Sequence, residues 1–262
     1  MAEAGKKRRV CPAHSDPIRI VPLHIPEELR RSPATASSTP HLTYRNGPLI
    51  ENVEIFTMFW GSGWQKSSAS GLIQQFNDFF SYLVTSPLVD QLSEYSTNGY
   101  KIGHGSFKGS VTVTSSDPGT SVSDAEIQHM LQQEIMTNAG LPQPGPNVLY
   151  FVYVQPGTRV VQGGSASCQA FCGYHDNISG QIFYAVMPYA NCQGCTGGAG
   201  TFDAMTSTSS HEFCEAITDP VPGQGWYDDV HGEIGDICAW QTKTLGAYTV
   251  QLEWSNQAGK CV

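Results

Sequence analysis

Charged residues are scarce in this sequence. Lys, Arg, Asp and Glu make up only 14% of it, and with 14 basic against 23 acidic side chains the net charge is -9. Apart from Lys6-Lys7-Arg8-Arg9 the cations are scattered, so the concentrated basic surface of a nucleic-acid binder is missing. The tetrabasic run itself reads as a solvated tail in preference to a localisation signal. No apolar stretch approaches the length of a membrane span, and no membrane partner is expected. Val10-Cys11-Pro12-Ala13-His14 follows the basic run where an apolar h-region would stand, so no secretory signal peptide is read. As written the chain reads as cytoplasmic, with a tagged mature form of an exported protein as the alternative. There is no internal repeat. A GxSxG nucleophile elbow is also missing, so Ser207 to Ser210 reads as polar helix filler facing the sheet edge.

Glycine (27) and proline (16) are plentiful, and 40% of the 262 residues are apolar. That balance suits a turn-rich, strand-containing domain better than a helical bundle. Pro12, Pro17, Pro22, Pro26, Pro33 and Pro40 mark residues 1–45 as an extended leader, and residues 46–262 as one domain ordered from near Leu49. Val53 to Trp60 reads as a core strand. Leu72, Phe76, Phe79, Phe80 and Leu83 recur at helical spacing, and Ser86-Pro87 interrupts that helix before a short segment through Leu92. Ser110 to Thr114 reads as a strand. Ser123-Asp124-Ala125-Glu126 opens a helix with a capping box, Ile127, Met130, Leu131 and Ile135 give it an apolar stripe, and Gly140 ends it. Asn147 to Val154 and Gln181 to Met187 read as sheet strands. A last long helix spans about Phe202 to Thr218, stopped by Asp219-Pro220, and Gly246 to Trp254 holds a further strand. The expected fold is therefore α/β (α+β). Its layout matches a zincin-like mixed sheet, with one backing helix and a second that carries metal ligands.

Eight cysteines include a CxxxC at Cys168 and Cys172 and a CxxC at Cys192 and Cys195, with Cys11, Cys214, Cys238 and Cys261 isolated. The four paired thiols could converge on a structural zinc ion. Two disulfides closing glycine-rich loops are the favoured alternative, because Cys192 to Gly198 has little apolar material to hold it; connectivity is not readable from sequence.

The candidate chemistry lies in His211-Glu212-Phe213-Cys214-Glu215, an HExxE sequence. Four residues apart on a helix, His211 and Glu215 share one face and aim at one point. Imidazole nitrogen and carboxylate oxygen both bind Zn²⁺ at about 2.0–2.2 Å, and other divalent ions suit the same donors. Glu212 stands beside the first ligand, where the HExxH glutamate acts as general base on the attacking water. The pattern alone is weak. Its flank Ser207-Thr208-Ser209-Ser210 carries no charge, which argues against a solvated acidic face, and Trp226 to Asp236 offers further ligands within loop reach.

His211-Glu212-Phe213-Cys214-Glu215-Ala216-Ile217-Thr218-Asp219-Pro220 resembles, together with Gly225-Trp226-Tyr227-Asp228-Asp229 and Gly232-Glu233-Ile234-Gly235-Asp236-Ile237-Cys238-Ala239-Trp240, a group of bacterial and fungal proteins. That group looks related to the plant phosphate-induced (Exordium-like) family. Phe59 to Trp64, Phe171 to His175 and Tyr184 to Tyr189 are similar too, so the likeness covers roughly residues 50–242. The resemblance implies a zincin-like metal site and exported relatives, and it supplies no substrate.

For the third ligand, Glu233 is the first choice, since gluzincins take a glutamate from an element after the HExxH helix. Asp236 then supports His211 by fixing its tautomer, and the two roles are nearly exchangeable. Asp219, His231 and His175 are outside candidates; His175, beside Asp176, is read instead as a holder of a substrate oxyanion. Trp226 and Tyr227 sit in a glycine-rich loop as cleft walls. The leading expectation is a zinc-dependent, peptidase-like hydrolase acting on a peptide or small-molecule substrate. A non-enzymatic binding or signalling protein with a structural metal is the competing class, and a metal-dependent enzyme of specialised metabolism a third.

Overall fold

The computed structural model describes residues 20–22 and 39–262. In chain order the elements begin with β1 (Ile20–Pro22), β2 (Thr43–Tyr44) and β3 (Asn52–Trp60). Helices α1 (Ser70–Leu83) and α2 (Pro87–Leu92) follow, then β4 (Gly103–Val113), β5 (Ser121–Ser123) and α3 (Asp124–Thr137). Next come β6 (Val148–Val154), β7 (Arg159–Gln162), β8 (Ser165–Ala166), β9 (Phe171–Ile178) and β10 (Ile182–Met187). The short α4 (Gln193–Thr196) leads into α5 (Thr201–Thr218), and the chain closes with β11 (Trp226–Tyr227), β12 (Thr242–Leu245), β13 (Tyr248–Gln251), β14 (Trp254–Ser255) and β15 (Lys260–Cys261).

Six strands form one mixed sheet in the order β1-β9-β10-β6-β3-β4. The β4, β3, β6 and β10 strands run parallel, while β9 and β1 add on antiparallel. The fold is thus mixed α/β. Every residue of β6 is buried, as a strand covered on both faces requires. Its side chains alternate: Leu149, Phe151 and Tyr153 join a core with Phe76, Phe79 and Phe80 of α1 and Phe213 and Ile217 of α5, whereas Val148, Tyr150 and Val152 pack with Ile127, Met130 and Leu131 of α3. Helices α1, α2 and α5 therefore lie on one face of the sheet and α3 on the other.

Local chemistry explains the boundaries. Ser123 and Glu126 make the reciprocal capping box, and α3 ends at Thr137 with Asn138 as its cap, before Gly140. Ser86 Oγ accepts from the Leu88 amide, with Pro87 in the first turn, and restarts the chain as α2. The strand expected at Ser110 to Thr114 is longer and begins at Gly103.

Two expectations need correction. Residues 39–45, read as leader, belong to the folded body: Leu42 is fully buried and β2 pairs with β11. Within the Pro-rich stretch β1 pairs with β9; the rest of the leader, including Lys6 to Arg9, lies outside the described residues. Second, Ser207 to Ser210 is buried and is not filler at a sheet edge. Ser209 Oγ lies 2.7 Å from Tyr153 Oη, and Ser210 Oγ donates to Ser207 O while accepting from the Gln251 amide. Helix α5 is buried from Ala204 to Thr218, so its interior needs small polar side chains that satisfy one another.

The cysteines choose disulfides. Cys168 bonds Cys192, Cys172 bonds Cys195, and Cys238 bonds Cys261, a pair not anticipated from the sequence. The alternative zinc site at the CxxxC and CxxC is thereby removed. Cys214, buried in α5, is free. Among the described residues no helix is long and apolar enough to cross a membrane.

Candidate metal centre

Three elements bring the site together. Helix α5 supplies His211, Glu212 and Glu215, β9 supplies His175 from beneath, and the loop after β11 supplies Glu233 and Asp236. Gly173 eases the approach of α5 to β9: a β-carbon there would lie 2.7 Å from Thr208 Cγ2 and 2.9 Å from Met187 Cε and would push on both side chains. Gln251 of β13 aligns the loop. Its amide donates to Ser210 Oγ on the helix, its side chain donates to Gly235 O at 2.9 Å, and Trp254 N donates to Ile234 O. The Cys238–Cys261 disulfide ties down the loop's far end.

His175, His211, Glu212, Glu215 and Glu233 are all fully buried, and Asp236 alone in the cluster is partly exposed. His211 Nε2 and Glu215 Oε1 stand 2.9 Å apart. The oxygen lies off the direction in which a ring N–H would point, so His211 Nε2 has no hydrogen-bond partner, and neither has Nδ1. Asp236 completes a set of three ligand atoms within 4.8 Å of one another. Its amide donates to Glu215 Oε1 at 3.1 Å, and its carboxylate accepts from the Glu233 amide at 3.0 Å. A second set, His175, Glu212 and Glu215, meets the same distance limit.

Buried atoms left without a partner mark the place further: Glu212 Oε1, Glu215 Oε2 and both carboxylate oxygens of Glu233. Isolated buried carboxylates are costly, and the structure registers the cost. Burial, then the charge of Glu215, raises the carboxyls of Glu233 and Asp236 well above the usual range; burial also raises Glu212. Burial pulls both imidazoles down, but the surrounding carboxylates outweigh it: His175 is raised to about 9, and His211 well above its ordinary value. A cation among these groups would offset the carboxylates that surround it. In a tetrahedral zinc site with bonds of about 2.0–2.1 Å, ligand atoms sit about 3.3 Å from one another, close to the spacing of these donors.

Asp219 is not placed as a ligand. It caps α5, its carboxylate accepting from the amides of Gly223, Gln224 and Gly225, and its carbonyl accepts from His175 Nε2 at 3.2 Å. A β-carbon on Gly225 would fall 2.2 Å from Thr218 O, so this tight return depends on glycine.

The structure rearranges several expected roles. Asp236 joins His211 and Glu215, whereas Glu233, the first choice, lies 3.5 Å from His175 Nε2. His175 faces Glu212 at 3.0 Å inside the fold. Trp226 and Tyr227 are packed rather than open to a cleft. Trp226 Nε1 donates to Tyr95 O and its ring meets Tyr44 and Tyr95, while Arg45 covers the Tyr227 ring. His231 Nδ1 lies 3.0 Å from Asp228 Oδ1 in its own loop. A surface cleft of about 460 Å³ lined by Trp60, Val122, His129 and Met130 belongs to the α3 side of the sheet, away from the cluster.

One residue escaped the sequence reading. Glu253, between β13 and β14, is fully buried with neither carboxylate oxygen partnered, and burial raises its carboxyl, with the charge of His211 opposing. No motif announces it; a lone glutamate before Trp254 carries no spacing signal. Comparison of the chain with protein-family models, with curated proteins and with solved structures found no match.

Proposed function

We propose that this chain is a divalent-cation-dependent hydrolase, with His211, Glu215 and Asp236 holding the cation and zinc the best match to those donors. The observation that carries the reading is the His211–Glu215 pair: 2.9 Å apart, buried, and not aligned as a hydrogen bond. A cation between two electron-rich atoms so placed would satisfy both. Three protein ligands, with no cysteine among them, match catalytic zinc sites better than the closed four-ligand structural kind.

A bound zinc ion supplies Lewis-acid polarisation of a carbonyl and acidifies water. The chain's own residues do the rest. Glu212 Oε1, without a partner, is the group that would take a proton, while the other oxygen of that carboxylate lies 3.0 Å from His175 Nδ1. Asp236 is the ligand that meets the surface, so approach from that side is the route a peptide-type carbonyl would use. The zincin-like layout and kinship with the phosphate-induced family belong to the same reading. They are supported by a ligand-bearing helix on a mixed sheet and a following acidic loop. Three disulfides support an oxidising compartment for the folded protein.

One observation favours a second reading, in which the cation only stabilises the fold: five of the six cluster residues are fully buried. Metal content, melting temperature and hydrolysis of a peptide library separate the two. Hydrolysis predicts activity in the wild type, lost in Glu212→Gln while the His211-bound cation stays. Metal lost and melting temperature lowered in His211→Ala, with an inactive wild type, would reject hydrolysis and leave the structural role.

A further inference from the structure

His175 donates from Nε2 to the carbonyl oxygen of Asp219 at 3.2 Å. A carbonyl only accepts, so the neutral ring keeps its proton on Nε2 and turns the Nδ1 lone pair inward. That lone pair meets Glu212 Oε2 at 3.0 Å and Glu215 Oε2 at 3.6 Å. Three electron-pair donors therefore converge at one buried point. Glu215 Oε2 and the second oxygen of Glu212 have no hydrogen-bond partner at all. A proton on Nδ1 would satisfy Glu212 and leave Glu215 Oε2 unanswered. An imidazole that gives its outer N–H to a backbone carbonyl, and its lone pair to a point shared with carboxylates, has the arrangement of a metal ligand.

Charge argues in the same direction. Glu212, Glu215, Glu233 and Asp236 surround the two histidines, and no lysine or arginine pairs with any of them among the described residues. Asp219 and Glu253 add further buried carboxyls beside these four, more acid than one divalent cation balances, and a second cation answers more of it. Glu215 is disposed to serve both. Its Oε1 faces His211 and the Asp236 amide, and its Oε2 faces His175. Bridging carboxylates of this kind join cations roughly 3.5–4 Å apart in two-metal hydrolytic sites.

We infer that the cluster takes two divalent cations, the second held by His175 Nδ1, Glu212 Oε2 and Glu215 Oε2, with Glu215 bridging it to the first. This rests on the reading that His211, Glu215 and Asp236 hold a cation. It leaves Glu212 Oε1 free for the proton transfer proposed above.

Metal counting on the full chain tests it, with Zn²⁺ or Mn²⁺ alone as the probe. After metal loading and removal of free ion, the wild type is expected to retain two equivalents and His175→Gln one. One equivalent in the wild type, whichever histidine variant abolishes it, overturns the second site and leaves a single-cation centre standing. No retained metal overturns both. Should His175→Gln fail to fold, electron paramagnetic resonance of the Mn²⁺-loaded wild type decides. A spin-coupled signal supports the pair, and the hyperfine pattern of an isolated ion at saturation overturns it.

Discussion

Gly235 is seated directly against the imidazole of His211: a β-carbon at position 235 would lie 2.8 Å from its Cγ and Nδ1, and 2.9 Å from Glu215 Oε1. Two of the proposed ligands are thus held in place by the absence of a side chain. Gly235→Ala must push the loop or the histidine by several tenths of an ångström. Overpacking of this kind costs about 1–3 kcal/mol, and disturbing a ligand's support typically lowers metal affinity about 10–100-fold. Isothermal titration with Zn²⁺ should show that loss. An unchanged affinity would mean that His211 does not bind the ion through this geometry.

Asp219 joins the end of α5 to the base of the site. Its carboxylate satisfies three amides and its carbonyl receives His175. Asp219→Ala strips the partner from three N–H groups in a tight return, where even a β-carbon on Gly225 would fall 2.2 Å from Thr218 O. Each buried orphan costs about 1–3 kcal/mol, less where water reaches it. The melting temperature should fall by more than in Asp229→Ala, where an exposed carboxylate pairs only with Arg45. Equal falls would show that the loop is not held by this cap.

Metal-free protein should lose stability as pH rises. His175, raised to about 9 from 6.5, contributes stability that is complete below pH 6.5 and disappears as pH passes about 9. The raised carboxyls of Glu212, Glu233 and Asp236 act with the same sign. Asp228 acts oppositely: despite the upward push of burial, the amides of His41, Val230 and His231 hold it at about 2, so its effect falls below its ordinary 3.8. Thermal melts of chelator-treated protein should therefore give a lower Tm at about pH 9 than at about pH 6, and added divalent cation should narrow the gap. A metal-free Tm that rises with pH across this window would contradict the assignment of these groups to one buried cluster.

Much of this architecture could be read before the structure. The strand ending at Trp60, the helix after Ser123 and the long helix from Thr201 all follow from apolar periodicity and local start and stop signals. The metal candidates on α5 were legible because four-residue spacing decides which side chains share a helix face. His175 was harder. It lies 36 positions before His211, and only the pairing of β9 with β10 and the close seat of α5 over Gly173 bring it to Glu212. Where Glu233 and Asp236 fall depends on contacts of Gln251 and Trp254 with the backbone between them, which no local pattern encodes. Glu253 was invisible for the same reason. Trp226 and Tyr227 misled because a glycine-rich loop suggested exposure, while β2, from the stretch read as leader, packs on them.

The disulfides give the last expectation. Cys238–Cys261 closes a loop that begins just after Asp236, at a sequence separation of 23. Chain-entropy arguments put such a crosslink at about 2–4 kcal/mol. Replacing both cysteines by serine should lower the melting temperature and weaken cation binding together, because Asp236, the proposed ligand, stands two residues before Cys238. Replacing Cys168 and Cys192, which join the approach to β9 to the start of α4 and flank none of the proposed ligands, should lower stability with less effect on binding. Thiol titration of the denatured, unreduced protein provides the control: among the described residues only Cys214 should react. If removal of Cys238–Cys261 costs stability while metal affinity is untouched, the bridge serves the C-terminal strands alone, and the positioning of Asp236 rests on Gln251 and Glu215.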